Sequence, residues 1–362
     1  MGVYRVIQWG AGVNGSALIR AVARHPDLEL VGCRVWSAAK AGVDAGTLAG
    51  IDELGVPATT NPQELYDLDA DVVLFLPAVR PDLSETDAEL LALLASGKNV
   101  ISVTGAHSMP TIYGDYYAAF DAACVRGGTT FTAAGINPGF IAERLAPTVT
   151  GMCADVTRVV VSESWDCSHS SADTAFEVNG FGRPLDEWQA SGTFGQMFNR
   201  MFSQVIHNMA HSFGVELERV DLAASVTPAH RDMTIAGRTI PAGSVGATHL
   251  VWTGVPSDPD QIELVKETTW AAAADIPGVP VGRVWTVRVE GKPNLTVTVD
   301  PGLVEDPQFR PEALVGAAIP LIPAVVAADP GFLLPEIQAP FRRRFDQVSA
   351  SAAIGSSTAS AT

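Results

Sequence analysis

Three groups of residues in this sequence have types and spacings suited to chemistry. The first is Gly10, Ala11, Gly12, Val13, Asn14 and Gly15, a GxGxxG spacing that follows the apolar run 3–9 and opens a helical pattern over 13–24. In that context the first glycine permits a tight turn and the second lets a pyrophosphate approach the backbone. The third allows close packing of helix on strand. Unpaired N–H groups and the dipole at the helix start favour the anion. A structural glycine-rich turn is the alternative, but a second strand within about 30 residues supports dinucleotide binding.

The second group lies along the rim of that cradle. An NAD-type fold carries an acidic residue at the end of its second strand, to hold the adenosine ribose. Here the stretch is Arg34, Val35, Trp36 and Ser37, followed by Lys40. Without a carboxylate to repel a 2′-phosphate, Arg34, Ser37 and Lys40 are candidates to bind it, although each has an ordinary reading as a surface residue. NADP(H) is therefore the expected cofactor, with NAD(H) as the alternative. Pro77, Ala78, Thr104 and Gly105 follow two further strand patterns and are assigned to the same site. Asn137 is assigned there too, from the stretch Gly135 to Phe140 (GINPGF), whose glycines and proline make a rigid turn after an apolar strand.

The third group concerns the proton. Hydride transfer needs geometry, but the accompanying proton needs a donor close to the substrate. His107, just past a strand end, is the candidate catalytic residue, against the bland reading of a polar loop histidine. Glu163, Asp166 and His169 in SESWDCSHSS, with Phe140, are candidates to line a substrate pocket; solvated strand ends are the alternative. Trp165, Phe181, Trp252, Trp270 and Trp285 are available for an apolar wall, or for core. Four scattered cysteines, Cys33, Cys124, Cys153 and Cys167, show neither metal-ligand nor disulfide spacing, so no metal site is expected.

The elements that must position these groups alternate regularly at first. Apolar runs at 3–9, 28–35, 72–76, 99–103 and 129–133 are separated by helical patterns at 13–24, 83–96 and 113–126. That is a βαβ series, and an α/β fold with a Rossmann, doubly wound parallel sheet follows. After about residue 140 the pattern changes to longer strands, 156–162, 246–253, and 283–290 with 295–299 joined through Gly291 to Asn294. An α+β second domain with a mostly antiparallel sheet is expected. Between them, 194–213 carries Met197, Phe198, Met201, Phe202, Val205 and Met209 at helical spacing, a core or interface stripe.

The expected domains are a dinucleotide-binding domain over 1–140, a substrate-binding and dimerisation domain over 141–300, and a segment over 301–345 that returns to the first domain. Residues 313–328 are apolar but too short to cross a bilayer, and Pro320 and Pro323 predict a broken helix. The Ser-, Ala- and Thr-rich tail over 349–362 is expected to stay unfolded.

Composition narrows the partners. With 47% hydrophobic and 17% charged residues the chain buries a large core, which excludes a disordered protein. A formal net charge of -17 opposes nucleic acid and anionic membranes, and the basic run Arg342, Arg343 and Arg344 reads as surface ion pairing. A small-molecule substrate, a homodimer and a cytoplasmic location are expected; no leader pattern opens the chain.

These motifs resemble one family. The GAGVNG start, VWSAAK at Val35 to Lys40, GKNVIS at Gly97 to Ser102, GINPGF, GFGRP at Gly180 to Pro184 and WTVRVEGKP around Trp285 are similar to the dihydrodipicolinate reductase-like oxidoreductases. The similarity is to the branch of 2,4-diaminopentanoate dehydrogenase and the native amine dehydrogenases, and spans most of residues 1–345. It implies an NAD(P)H-dependent oxidoreductase, amine dehydrogenase- or imine reductase-like, acting on a C=O or C=N bond, with Asn137 near the nicotinamide. Two departures qualify it. The branch's catalytic Glu after the fifth strand is replaced by Thr104, Gly105, Ala106, His107 and Ser108, and the His-His and Lys signature of true dihydrodipicolinate reductases is absent. A carbonyl reductase that uses no ammonia, or an inactive dinucleotide-binding sensor, is the alternative.

Overall fold

The computed structural model describes residues 2–78, 82–108, 110–170, 173–188, 193–279, 282, 284–301, 310–334 and 337–343. The tail over 349–362 and Arg344 lie outside them. The described residues form two compact units, one drawn from 1–140 and 308–336 and the other from 141–307 and 337–343.

The first unit runs β1 (Tyr4–Trp9), α1 (Val13–Arg24), β2 (Leu28–Arg34), α2 (Ala45–Ala49), β3 (Ala58–Thr59), α3 (Pro62–Tyr66), β4 (Val72–Phe75), α4 (Ser84–Ala95), β5 (Asn99–Ser102), α5 (Asp115–Gly127) and β6 (Thr130–Ala133). β1, β4 and β5 read as apolar runs because helices cover both faces of the sheet. Leu18, Ile19 and Val22 of α1 pack on one side of the strands, and Leu90, Leu93, Leu94 and Phe120 on the other.

The second unit contains α6 (Ala146–Thr150), β7 (Asp155–Asp166), α7 (Thr193–Phe213), β8 (Leu217–Pro228), β9 (Met233–Ile235), β10 (Arg238–Ile240), β11 (Val245–Pro256), β12 (Glu263–Ala271), β13 (Val284–Lys292) and β14 (Leu295–Val299). The main sheet has the order β14-β13-β7-β12-β11-β8. β7 and β12 run parallel while their other neighbours run antiparallel, so the sheet is mixed and mostly antiparallel. β8 and β12 were not expected from the sequence. Polar residues and Lys266 interrupt the apolar alternation of β12, and β8 is largely exposed.

The chain then returns to the first unit with α8 (Arg310–Ala318), α9 (Ile322–Ala327) and β15 (Gly331–Phe332). The helix breaks where Pro320 and Pro323 stand, because proline lacks the N–H a continuous helix needs. Ala318, Ile322 and Val325 complete the α1 side of the core. β15 pairs with β6 and closes a seven-stranded, all-parallel sheet of order β15-β6-β5-β4-β1-β2-β3. The return stops there, short of the expected residue 345. Residues 337–343 belong to the second unit, where the Phe341 N–H donates to Thr150 Oγ1 and Arg343 donates to the Val156 carbonyl and sits 3.7 Å from Asp155.

Candidate functional site

The three glycines of the GxGxxG turn have different surroundings. Gly10 takes a φ of +107°, and a Cβ there would strike the Leu76 carbonyl. A Cβ on Gly15 would strike the Gly10 carbonyl, which also accepts a hydrogen bond from Gln8 Nε2 at 2.9 Å. Gly12 stands at the N-terminus of α1 with open space where its Cβ would lie. Gly10 and Gly15 thus lock the turn against strand and helix, while the surface over Gly12 is left for a ligand. An anion placed there meets the free N–H groups of the first helical turn.

This surface is the floor of a cleft of about 590 Å³ in the first unit. Of the residues expected to hold a cofactor, Gly10, Ala11, Gly12, Val13, Asn14, Gly15, Ser37, Lys40, Pro77, Ala78 and Thr104 line it. Arg34, Gly105 and Asn137 are not in its lining. Val35, Trp36, Leu76 and Val103, which sequence reasoning did not assign to the site, are. Their only signal in the sequence is adjacency to strand ends.

Arg34 differs most from expectation. It is 6% exposed, donates to its neighbour's carbonyl at Val35, and sits 3.2 Å from Glu89 Oε1. Its guanidinium lies over the rings of Trp9 and Trp36, 5.7 Å and 5.0 Å from their centroids, and Trp9 Nε1 donates to the other oxygen of Glu89. Arg34 is therefore held by a buried ion pair and two indoles rather than presented to the cleft. Lys40 crosses the cleft edge and donates to the Ala11 carbonyl at 2.8 Å. Beside the main cleft, Trp36, Pro77, Ala78, Glu85, Thr86 and Glu89 line a small cavity of about 50 Å³.

His107 is fully buried. Its Nε2 lies 2.9 Å from Asp87 Oδ1 in α4, and its Nδ1 lies 3.0 Å from Ser102 Oγ and 3.4 Å from Thr104 Oγ1. Phe120 and Phe131 close on the ring, each with its centroid 5.8 Å away. His107 was expected as the proton donor, with a polar surface histidine as the alternative; the structure encloses the ring and engages both its nitrogens. His107 ties β5, α4 and α5 together beneath Thr104, the residue that does reach the cleft.

The turn of GINPGF is closed on itself. A Cβ on Gly135 would strike the Pro138 carbonyl, and Gly139, at a φ of +130°, sits against the backbone of Ala134. Asn137 is half-buried and Phe140 is 42% exposed.

In the second unit, Glu163 is half-buried on β7 and accepts two indole N–H bonds, from Trp270 at 2.8 Å and Trp285 at 3.0 Å. Trp165 packs against Trp285 with 5.6 Å between centroids. Phe181 and Trp252 are instead fully buried core, the latter donating to Asn199. Asp166 accepts the Ser168 N–H at 2.9 Å, shaping the turn after the strand, and His169 is exposed.

Sequence reasoning missed Lys266 on neighbouring β12. It is fully buried, donates to the Glu267 carbonyl at 2.7 Å and lies 4.9 Å from the centroid of Phe202. Burial drives its pKa down to about 8, against the pull of Glu163, Glu143 and Glu267. No group of His, Cys, Asp and Glu suited to a metal ion occurs among the described residues.

No protein-family model matches the chain. It is 28% identical over 345 residues to an amine dehydrogenase of Streptomyces virginiae, covering 90% of this chain and 93% of that one. Its fold is that of the amine dehydrogenase of Mycobacterium smegmatis, with a TM-score of 0.73 at 21% identity over 92% of this chain and 97% of the other. Scyllo-inositol dehydrogenase of Lactobacillus casei, solved with NAD(H) and scyllo-inositol, shares the fold at a TM-score of 0.52 and 14% identity, over 83% of this chain and 77% of that one.

The cleft fits a nicotinamide dinucleotide. The open surface over Gly12 at a helix N-terminus is where a pyrophosphate belongs, and the cleft continues to Trp36 and Ser37 at the end of β2. Among the described residues no helix is long and apolar enough to cross a membrane.

Proposed function

We propose that this chain is an NADP(H)-preferring amine dehydrogenase. At the coarser level it is a nicotinamide-dependent oxidoreductase acting on a small substrate. The observation that carries the reading is the cradle of Gly10, Gly12 and Gly15, in which two glycines are sterically required and the third leaves its surface open. The likeness to an amine dehydrogenase along nine-tenths of the chain supplies the substrate class. Descent from the dihydrodipicolinate reductase-like branch belongs to the same proposal, resting on GINPGF and the other quoted motifs.

A nicotinamide held in the cleft would supply hydride chemistry at the carbon that bears nitrogen. In the reductive direction a carbonyl, ammonium and the reduced nicotinamide give an amine, water and the oxidised nicotinamide. The chain's own residues do the rest. The N-terminus of α1 binds the pyrophosphate, and Gly10 and Gly15 keep that helix end in place. Ser37 and Lys40 receive a 2′-phosphate at a rim with no carboxylate at the end of β2. Thr104, braced by His107 and Ser102, presents the strand end at which ligands collect in open α/β sheets. His107 is a positioning residue in this account, because its ring is enclosed and both nitrogens are engaged.

The test is oxidation of primary amines by the purified protein with NADP⁺ and, separately, NAD⁺. The expected result is nicotinamide reduction with release of a carbonyl and ammonia, with a lower KM for NADP⁺. Turnover of alcohols but not amines would make the chain a carbonyl reductase. Saturable binding of NADPH with no turnover of either class would make it a sensor.

A further inference from the structure

Arg34 stands at the end of β2, where an arginine in an NADP-binding fold reaches for the 2′-phosphate. This one is turned away from the cleft. It is 6% exposed, donates to the Val35 carbonyl and lies 3.2 Å from Glu89 Oε1. What lines the cleft in its place is an indole. Trp36 is 42% exposed, and the Arg34 guanidinium lies over its ring, 5.0 Å from the centroid. Trp9 holds the same guanidinium at 5.7 Å and donates through Nε1 to Glu89 Oε2.

An exposed aromatic side chain on its own is ordinary. Trp36 has a particular place. Together with Pro77 and Ala78 it lines both the main cleft and the small cavity beside it, and these three are the residues that the two linings share. The indole and the turn after β4 therefore wall the passage from one to the other. Gly10 packs on the edge of the ring, since a Cβ there would lie 3.4 Å from Trp36 Cζ3. The cradle fixes the ring at that edge and the guanidinium fixes it over a face, while much of its surface stays open.

General chemistry selects the ligand for that surface. In a dinucleotide-binding fold the adenosine half lies at the end of the second strand. An aromatic face takes a flat base, and such stacking is worth roughly tenfold or more in affinity. A ring already held still gives up little freedom when the base arrives, and the guanidinium keeps it in place by cation–π attraction. A phosphate is not drawn to the electron-rich face of an indole.

We propose that Trp36 is the stacking platform for the adenine of the dinucleotide, and that Arg34 is a positioning residue for it, acting through the indole and not on the 2′-phosphate. The subsite rests on the cofactor reading of the cleft and adds recognition of the base. Ser37 and Lys40, which line the same cleft, keep the phosphate. Arg34 then strengthens the binding of NADPH and NADH alike, whereas an arginine bonded to the phosphate strengthens NADPH alone.

The experiment is calorimetric titration of the full chain with NADPH, NADH and adenosine 2′,5′-bisphosphate. Trp36→Leu should weaken all three by about tenfold, and Trp36→Phe should recover most of the loss. Adenosine 2′,5′-bisphosphate should quench indole fluorescence in the wild type but not in Trp36→Phe, although that variant still binds it. Arg34→Met combined with Glu89→Gln removes the guanidinium without leaving a buried carboxylate unpaired, and should weaken NADPH and NADH severalfold by equal factors. The Trp36 variants alter an exposed side chain and keep the fold, so the test does not depend on the double variant. A loss confined to NADPH in the double variant would overturn the proposal, because Arg34 would then hold the phosphate. Unchanged affinity for all three nucleotides in Trp36→Leu would overturn it too, and the cofactor reading would stand because they still bind. A wild type that binds none of them would remove the cofactor reading and the platform together.

Discussion

His107 Nε2 lies 2.9 Å from Asp87 Oδ1, and that contact ties the loop after β5 to α4. Tyr116 of α5 also donates to Asp87 Oδ1, at 3.2 Å, so one carboxylate oxygen joins two helices to the loop. The relationship recasts His107 from a proton donor to a brace for Thr104.

Replacement of His107 by Leu should therefore lower stability by about 2–4 kcal/mol, since it removes buried hydrogen bonds and leaves the carboxylate of Asp87 short of a partner. Urea denaturation measures the loss. The shape of the pH–rate profile should be unchanged at a temperature where the variant is folded. Unaltered stability with one limb of the profile missing would return His107 to catalysis.

The glycines of the cradle make a sharper comparison. Gly10→Ala and Gly15→Ala force a methyl into a backbone carbonyl, and each should cost about 1–3 kcal/mol or more. Gly12→Val meets open space, so its stability should stay within about 1 kcal/mol of the wild type, the cost of a poorer helix cap. Calorimetric titration should nevertheless show NADPH binding weakened at least tenfold by Gly12→Val. Intact NADPH binding in that variant would place the dinucleotide elsewhere.

How much could be read beforehand depended on whether partners were close in sequence. The cradle was legible because Gly10 to Gly15 carry their own context, a buried strand before and an amphipathic helix after. The break in the last helix was legible because proline acts on its own backbone. Arg34 was not, since Glu89, which holds it, lies 55 residues away in another helix. Glu163 was assigned from its place at a strand end, with a substrate pocket or a solvated strand end as the two readings, but the indoles that bond it come from positions 107 and 122 residues later. Lys266 concealed β12 itself, because a charged residue in the middle of a strand reads as exposure.

The rim of the cleft yields a selectivity prediction. Ser37→Glu puts a negative charge at the end of β2 where a 2′-phosphate would sit, and should weaken NADPH at least tenfold while leaving NADH within about threefold, by like-charge repulsion. Lys40→Met should weaken both cofactors, because Lys40 also donates to the Ala11 carbonyl in the cradle. Parallel binding titrations with the two nucleotides distinguish the variants. Equal losses of NADPH and NADH in Ser37→Glu would contradict the assignment of the phosphate to this rim.

Lys266 makes stability depend on pH. Its pKa is about 8 in the folded chain against 10.5 for the free side chain, so between those values the unfolded chain binds more protons and stability rises with pH. The rise amounts to roughly 3 kcal/mol across that window. Cys33 and Cys124, pushed up by burial to about 12 and about 11, act in the opposite sense above pH 9.0. The informative quantity is the difference between wild type and Lys266→Met in urea midpoints from pH 7.5 to pH 10, to which the cysteines contribute equally. That difference should grow in favour of the wild type as pH rises; a constant difference would mean Lys266 does not titrate there.

The most direct test of the whole account is reductive amination. Purified protein is mixed with NADPH and a panel of small aldehydes and ketones, with and without ammonium, and the product is identified by mass spectrometry. The account predicts NADPH consumption that requires ammonium and yields the primary amine in equal amount. Consumption that is indifferent to ammonium and yields the alcohol would contradict it.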